Sequence, residues 1–163
     1  MSDTMKALVD RAAVTDAIHL WSTSIDSRDW QSMRDLLTDP VHIDYSSNGS
    51  LSGDMPAEAW ITRLKSLYGF DATLHMVSNL VIKIDGDRAV CTSYVNAMHF
   101  LKDQGRELGA YACGVYIHKL QRAGDRWKIN SATFVVAGRH SGSEAFDTAF
   151  ARAREIAPSR SPK

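Results

Sequence analysis

Four side chains in this 163-residue chain are of types that could do chemistry together: His75, His99, Asp26 and Tyr45. An imidazole titrates near neutrality, so it can take a proton and return it. A carboxylate on its other nitrogen fixes the tautomer and stabilises the cation. His75 lies in Thr73–Leu74–His75–Met76–Val77–Ser78–Asn79, which opens a long β-rich run, and Asp26 and His99 are placed to converge on it. Asp26 falls at the C-terminal end of a helical apolar face, where the helix dipole disfavours a carboxylate. It either opens the turn Asp26–Asp29 or serves a partner elsewhere in the fold. His99 ends a row of small or medium residues, Cys91, Ser93, Val95 and Ala97, that share one face of a strand. Small residues leading to one polar group suit the wall of a cavity better than a packed core.

The elements that must hold these groups follow from periodicity. Val14, Ile18, Trp21 and Ile25 recur at helical spacing over about residues 8–25. A short helix with Trp30, Met33, Leu36 and Leu37 stops before Pro40. Residues 41–46 alternate as a strand, with Val41, Ile43 and Tyr45 on the apolar side, so the Tyr45 phenol needs a buried partner. Pro56 and Glu58 begin a third helix carrying Trp60, Ile61, Leu64 and Leu67. Turn signals at Asp85–Gly86, Gln104–Gly105 and Ala123–Gly124 then divide the chain into four strands, about 73–84, 88–101, 109–120 and 126–137. The spacing of Ser141 and Glu144 predicts a capping box for a last helix with Phe146, Phe150 and Ala153. Helices followed by strands make an α+β fold. We expect a cone-shaped, curved antiparallel sheet wrapped around the N-terminal helices, with a pocket at the open end. Residues 1–156 form one domain in this reading, and 157–163 a disordered tail.

Composition removes several classes of function. Lys+Arg and Asp+Glu both number 19, and no basic stripe suggests a nucleic-acid partner. No apolar run is long enough for a membrane span, and the first ten residues lack a signal-peptide core, so a cytoplasmic protein is expected. Cys91 and Cys113 read as small core residues. The six histidines include no H-E-x-x-H motif and no tight pair, so no metal is expected. No lysine follows the Gly/Ser-rich residues 46–53 as a phosphate loop requires, and no G-x-S-x-G elbow occurs; no organic cofactor is expected either. Trp21, Ile25, Val95, Ala97, Phe146 and Phe150 would line a pocket for a flat, mostly apolar molecule, and Arg139 could hold a substrate carboxylate.

The order of elements resembles the nuclear-transport-factor-like cone-fold superfamily, and within it the scytalone dehydratase-like, SnoaL-like proteins. Residues 21–30 (WSTSIDSRDW) resemble the first-helix segment of the fungal scytalone dehydratases. Ile43–Asp44–Tyr45 and Met55–Pro56–Ala57–Glu58 are similar to motifs in those enzymes, and His75, His99 and Trp127–Lys128 follow in the same order. The resemblance implies a cofactor-independent lyase in which Asp26 orients His75 for proton transfer during loss of water, while His99 and Tyr45 position a water or substrate oxygens. It also implies a homo-oligomer, a trimer packed through the sheet. Ile25, Ala112 and Gly114 stand where those enzymes carry hydrogen-bonding groups, which implies a less oxygenated ligand than scytalone. Hexachlorocyclohexane dehydrochlorinase, a more distant relative, pairs the same two residue types. The expectation is therefore a dehydratase acting on a small hydrophobic cyclic carbonyl or hydroxyl compound; an isomerase, a dehydrohalogenase, a cyclase or a non-catalytic binding module remains the alternative.

Overall fold

In the computed structural model, which describes residues 2–162, the longest helix and the sheet divide one core between them. Helix α1 (Asp3–Ser27) buries Val14, Ile18, Trp21 and Ile25 along one stripe, as their spacing predicts. It ends at Arg28, whose left-handed backbone (φ 60°) turns the chain into α2 (Trp30–Leu36). Asp29, not Asp26, caps α2: its Oδ1 accepts from the Ser32 N–H at 3.0 Å. Asp26 is thereby left free to face inward.

Strand β1 (Leu37–Asp44) pairs antiparallel with the short β2 (Ser52–Met55), which leads into α3 (Ala57–Leu64) and a 3-10 turn (Lys65–Gly69). Then come β3 (Ala72–Asp85), β4 (Arg88–Asp103), β5 (Arg106–Ala123) and β6 (Arg126–Arg139) as an antiparallel meander. The sheet order is β2-β1-β6-β5-β4-β3. The expected sheet was wholly antiparallel; instead β1 runs parallel to β6, with His42 opposite Ser131. Alternation within a strand reports which face is buried and says nothing about the direction of a partner 90 residues away.

Curvature comes from irregular pairing. Register shifts fall between Ser78 and Val81 in β3, where Asn79 has φ 53°, and at two places in β5–β6. One of the latter lies at Gly114, where an added Cβ would sit 2.1 Å from the Val135 carbonyl oxygen. A side chain cannot fit there, so the absent hydrogen-bonding group at Gly114 reflects the bend of the sheet.

Helix α4 (Ser143–Arg160) closes the structure. No capping box forms: Gly142 is the N-cap, and the Ser141 hydroxyl accepts from the Tyr111 N–H at 3.3 Å. The helix also continues past Ala157, where a disordered tail was expected. Ala157 is buried, and the Arg160 guanidinium donates to the Gly69 carbonyl at 2.8 Å and to Asp71 at 3.1 Å. These contacts outweigh the Pro/Ser composition. Lys163 lies outside the described residues.

At the narrow end, Asp10 is buried and joins α1 to β5 through ion pairs with Lys6 (2.9 Å) and Arg122 (2.8 Å). Hydrogen bonds from Lys6 and then Arg122 hold its pKa down at about 2, against an ordinary value near 3.8. A depressed acid stabilises the fold above its unfolded pKa, and that contribution fades as pH falls from about 4 toward 2. Asp10→Asn should therefore lower the melting temperature at pH 7, and the gap from wild type should close at about pH 2. A gap independent of pH would assign the loss to packing.

Candidate active site

The last turn of α1 and the first residues of β3 build the centre of the site. β3 is an edge strand, so its outward backbone N–H groups are free to bond something other than a strand. The His75 N–H takes Asp26 Oδ2 at 2.8 Å, while the His75 ring Nδ1 lies 2.7 Å from Asp26 Oδ1. The Thr73 hydroxyl donates to the same Oδ1 at 2.9 Å. Thr73 in turn accepts from Arg28 Nη1 at 2.7 Å, and Arg28 also donates to the carbonyls of Ile25 (2.6 Å) and Leu67 (3.0 Å). One half-buried guanidinium thus satisfies the C-terminal end of α1 and locks α1 to β3 and the 3-10 turn. Burial pushes the Asp26 pKa up, but the hydrogen bond and charge of His75, its N–H and the Thr73 hydroxyl outweigh burial and leave it below the usual carboxylate value. Asp26 is a carboxylate at neutral pH, so His75 Nδ1 carries the proton between them.

His75 opens onto a cavity of about 840 Å³ between the inner face of the sheet and helices α3 and α4. Its inner surface includes Ile25, Ala97, Ala112 and Phe134, and Leu64, Leu67, Phe146 and Phe150 form the sides. Polar groups that line it include His75, His99, Tyr45 and Tyr116. A mostly apolar cavity of this size with a few convergent polar atoms is the usual form of a small-molecule site.

The His99 ring stands edge-on to His75 with centroids 5.3 Å apart, and packs against Phe70 and Phe150. Its Nδ1 lies 2.9 Å from the Ala110 carbonyl oxygen, which can only accept, so Nδ1 is the protonated nitrogen and Nε2 bears a lone pair. Burial and the neighbouring His75 push its pKa down to about 3. His99 is therefore a neutral acceptor. The Tyr45 and Tyr116 rings are tilted neighbours, 6.5 Å between centroids. Burial raises the pKa of both, Tyr45 well above the ordinary value, so both remain O–H donors.

The other expected residues divide cleanly. Ile25, Ala97, Phe146 and Phe150 line the cavity. Trp21 is fully buried behind it and stacks on Trp60, which does line it, and Val95 lies buried on the inner sheet face away from the opening. Arg139 is outside: its guanidinium sits 4.5 Å over the Phe146 ring, donates to the Asn48 carbonyl (3.1 Å) and side chain (3.0 Å), and lies 3.7 Å from Asp147. Three residues of the site were not among those expected: Arg28, Thr73 and Tyr116. Tyr116 was reachable in principle, since Ala110, Ala112, Gly114 and Tyr116 alternate on β5 toward the same side. Two residues further, His118 is buried against Trp21 and Tyr116 and held near pKa 3 by burial, outside the cavity.

Comparison with known proteins agrees with this architecture. Residues 6–133 match the model of the SnoaL-like domain. An uncharacterized protein of Mycobacterium tuberculosis, Rv2910c, is 29% identical over 126 residues, 74% of this chain and 80% of the relative. Among solved structures, the Kfla4162 protein from Kribbella flavida superposes with a TM-score of 0.78 at 25% identity, covering 91% of this chain and 99% of that one. A Novosphingobium aromaticivorans protein provisionally named a scytalone dehydratase gives 0.75 at 18% identity (85% and 91% covered). A hexachlorocyclohexane dehydrochlorinase from Novosphingobium barchaimii gives 0.69 at 16% identity (84% and 92%). The last two share the fold. With its α+β cone and a family match that spans most of its length, the chain belongs to the SnoaL-like family.

Proposed function

We propose that this protein is a cofactor-independent lyase of the cytoplasm that removes water from a small hydrophobic cyclic β-hydroxy carbonyl compound. The observation that carries the reading is the His75 tautomer. With Nδ1–H on Asp26, Nε2 is left as a lone pair on the cavity side. It takes the proton from the carbon beside the carbonyl; the C–H electron pair becomes the new C=C bond and expels hydroxide from the next carbon. The His75 imidazolium, stabilised by Asp26, returns the proton to the departing oxygen, so water leaves and the base is regenerated. His99 cannot supply that proton, because it is neutral and presents an acceptor. Its role is to receive the substrate hydroxyl's hydrogen and turn that oxygen toward His75. Tyr45, with Tyr116 beside it, donates to the carbonyl oxygen where negative charge develops. The same base would serve expulsion of chloride, the chemistry in the name of the Novosphingobium barchaimii neighbour.

The test is 3-hydroxy-1-tetralone, whose dehydration gives a dienone that tautomerises to fluorescent 1-naphthol. Wild type should accelerate naphthol formation over buffer, and His75→Ala should lose that acceleration, by about 10²-fold or more. No acceleration by wild type, or an equal rate in His75→Ala, would overturn the proposal.

We also propose a homotrimer packed through the outer sheet face. Leu74, Met76, Tyr94 and Phe100 are exposed there by 38–58%, a patch that a monomer would leave wet. Light scattering should give about three times the 18.1 kDa chain mass, and Tyr94→Glu should dissociate the assembly. A wild-type monomer would refute it.

A further inference from the structure

We infer that the ligand of this cavity carries an anionic group, carboxylate-like, at the end that lies in the cavity mouth. The inference rests on the cavity being the ligand site, as proposed above, but not on the chemistry proposed there. Charge around the cavity is distributed unevenly. The inner part holds apolar side chains, neutral His99 and two phenols, and the Asp26 carboxylate lies behind His75. The mouth, in contrast, is cationic. Arg63 from α3 and Arg154 from α4 both line it, and among the described residues neither has a carboxylate within ion-pair distance.

Several arginines elsewhere are paired with acids, while Arg11, Arg88, Arg106 and Arg126 have no acid partner among the described residues and lie away from the cavity. Arg34 is paired with Asp39, Arg122 with Asp10 and Asp87, Arg152 with Asp103 and Glu155, and Arg160 with Asp71. Arg139, the residue the sequence suggested for a carboxylate, is already engaged by Asn48 and Asp147. Among the described residues that line the cavity, Asp147 is the one acid, and it faces that arginine. Arg63 and Arg154 therefore add two uncompensated charges to the rim of a low-dielectric cavity, which focuses potential on an entering anion.

Both also sit at positions that suit this role. Arg154 follows Phe146 and Phe150 at successive helical turns, so the face of α4 that covers the cavity ends in its guanidinium. Arg63 leans on the Ser50 hydroxyl at 3.4 Å, at the loop that forms the opposite lip. A planar guanidinium suits a planar carboxylate, and sulfonates share enough of that chemistry to serve as probes. The ligand class is then a cyclic acid: ring inward against Ile25, Ala97 and Ala112, anion outward between the two arginines.

Two fluorescent probes with the same ring system separate charge from apolar fit: 1-anilinonaphthalene-8-sulfonate and neutral N-phenyl-1-naphthylamine. In the full-length protein, the Arg63→Gln/Arg154→Gln double variant should weaken the anionic probe about tenfold and leave the neutral one within about twofold. Salt at about 0.5 M should bring wild type toward the variant for the anion alone. Ala112→Trp, which obstructs the inner end of the cavity, should weaken both probes. Equal losses of both probes in the double variant, no loss of the anion, or anion binding unaffected by Ala112→Trp would each overturn the inference. The probe titrations involve no turnover, so failure of the tetralone assay and failure of the anion site are read separately.

Discussion

Asp26→Asn should slow naphthol formation from 3-hydroxy-1-tetralone by about 10³–10⁴-fold while leaving the protein folded. The size of the effect follows from hydrogen-bond direction. Three donors converge on the Asp26 oxygens: the His75 ring, the His75 backbone N–H and the Thr73 hydroxyl. A carboxylate can accept from all three; an amide offers one oxygen and one NH₂. The backbone N–H is fixed by the strand, so the amide oxygen must turn toward it, and the NH₂ then faces the ring. His75 answers by moving its proton from Nδ1 to Nε2, and the lone pair that should face the substrate is replaced by N–H. Long-range ¹⁵N correlation of His75 should show this change of tautomer directly, with circular dichroism unchanged. If the variant keeps the wild-type tautomer and rate, Asp26 is a helix-end acid that happens to touch His75, and the elimination chemistry loses its base.

How this centre could be anticipated, and where anticipation failed, has a common physical cause. His75 and His99 were legible because a strand alternates with period two, so their facing follows from their neighbours. His75 and Ala97 are in fact cross-strand partners, and His99 lies on the same inner face as Ala97. Asp26 was legible because a carboxylate at a helix C-terminus is misplaced unless something compensates it. Here the compensation has two parts. His75 takes the carboxylate, and Arg28 takes the carbonyls of Ile25 and Asp26 that the dipole leaves exposed. Arg28 could not be read from spacing. Its side chain works from a left-handed turn and reaches Leu67 and Thr73, about 40 residues away, contacts that exist only after the helix docks on the sheet. Arg139 failed for the converse reason. A free arginine near a pocket and one stacked on Phe146 look identical in sequence. The parallel β1–β6 pairing was hidden likewise, because it is decided by the path of the whole chain.

Gly69→Ala should be the most damaging single-methyl change in the molecule outside the catalytic centre. The Cβ it adds would lie 1.9 Å from the Ala153 carbonyl oxygen and 2.4 Å from its carbon, both backbone atoms of α4. No rotamer relieves a clash with helix backbone, so α4 must move off the 3-10 turn. Moving it breaks the Arg160 bond to the Gly69 carbonyl, exposes Ala153 and Ala157, and pulls Phe146 and Phe150 from the cavity they cover. Overpacking of this kind costs about 3 kcal/mol or more, which for a chain of this length is a fall of roughly 6–12 °C in melting temperature. The naphthol assay should fall with it even at temperatures where the variant is folded, because the apolar side of the cavity is no longer closed. Gly138→Ala is the control: nothing lies within 4 Å of its added Cβ, and it should melt within about 2 °C of wild type. If the two variants melt together, α4 is not seated on Gly69 in solution. The cavity would then be an open groove, and neither its apolar closure nor the placing of Arg154 at its mouth would stand.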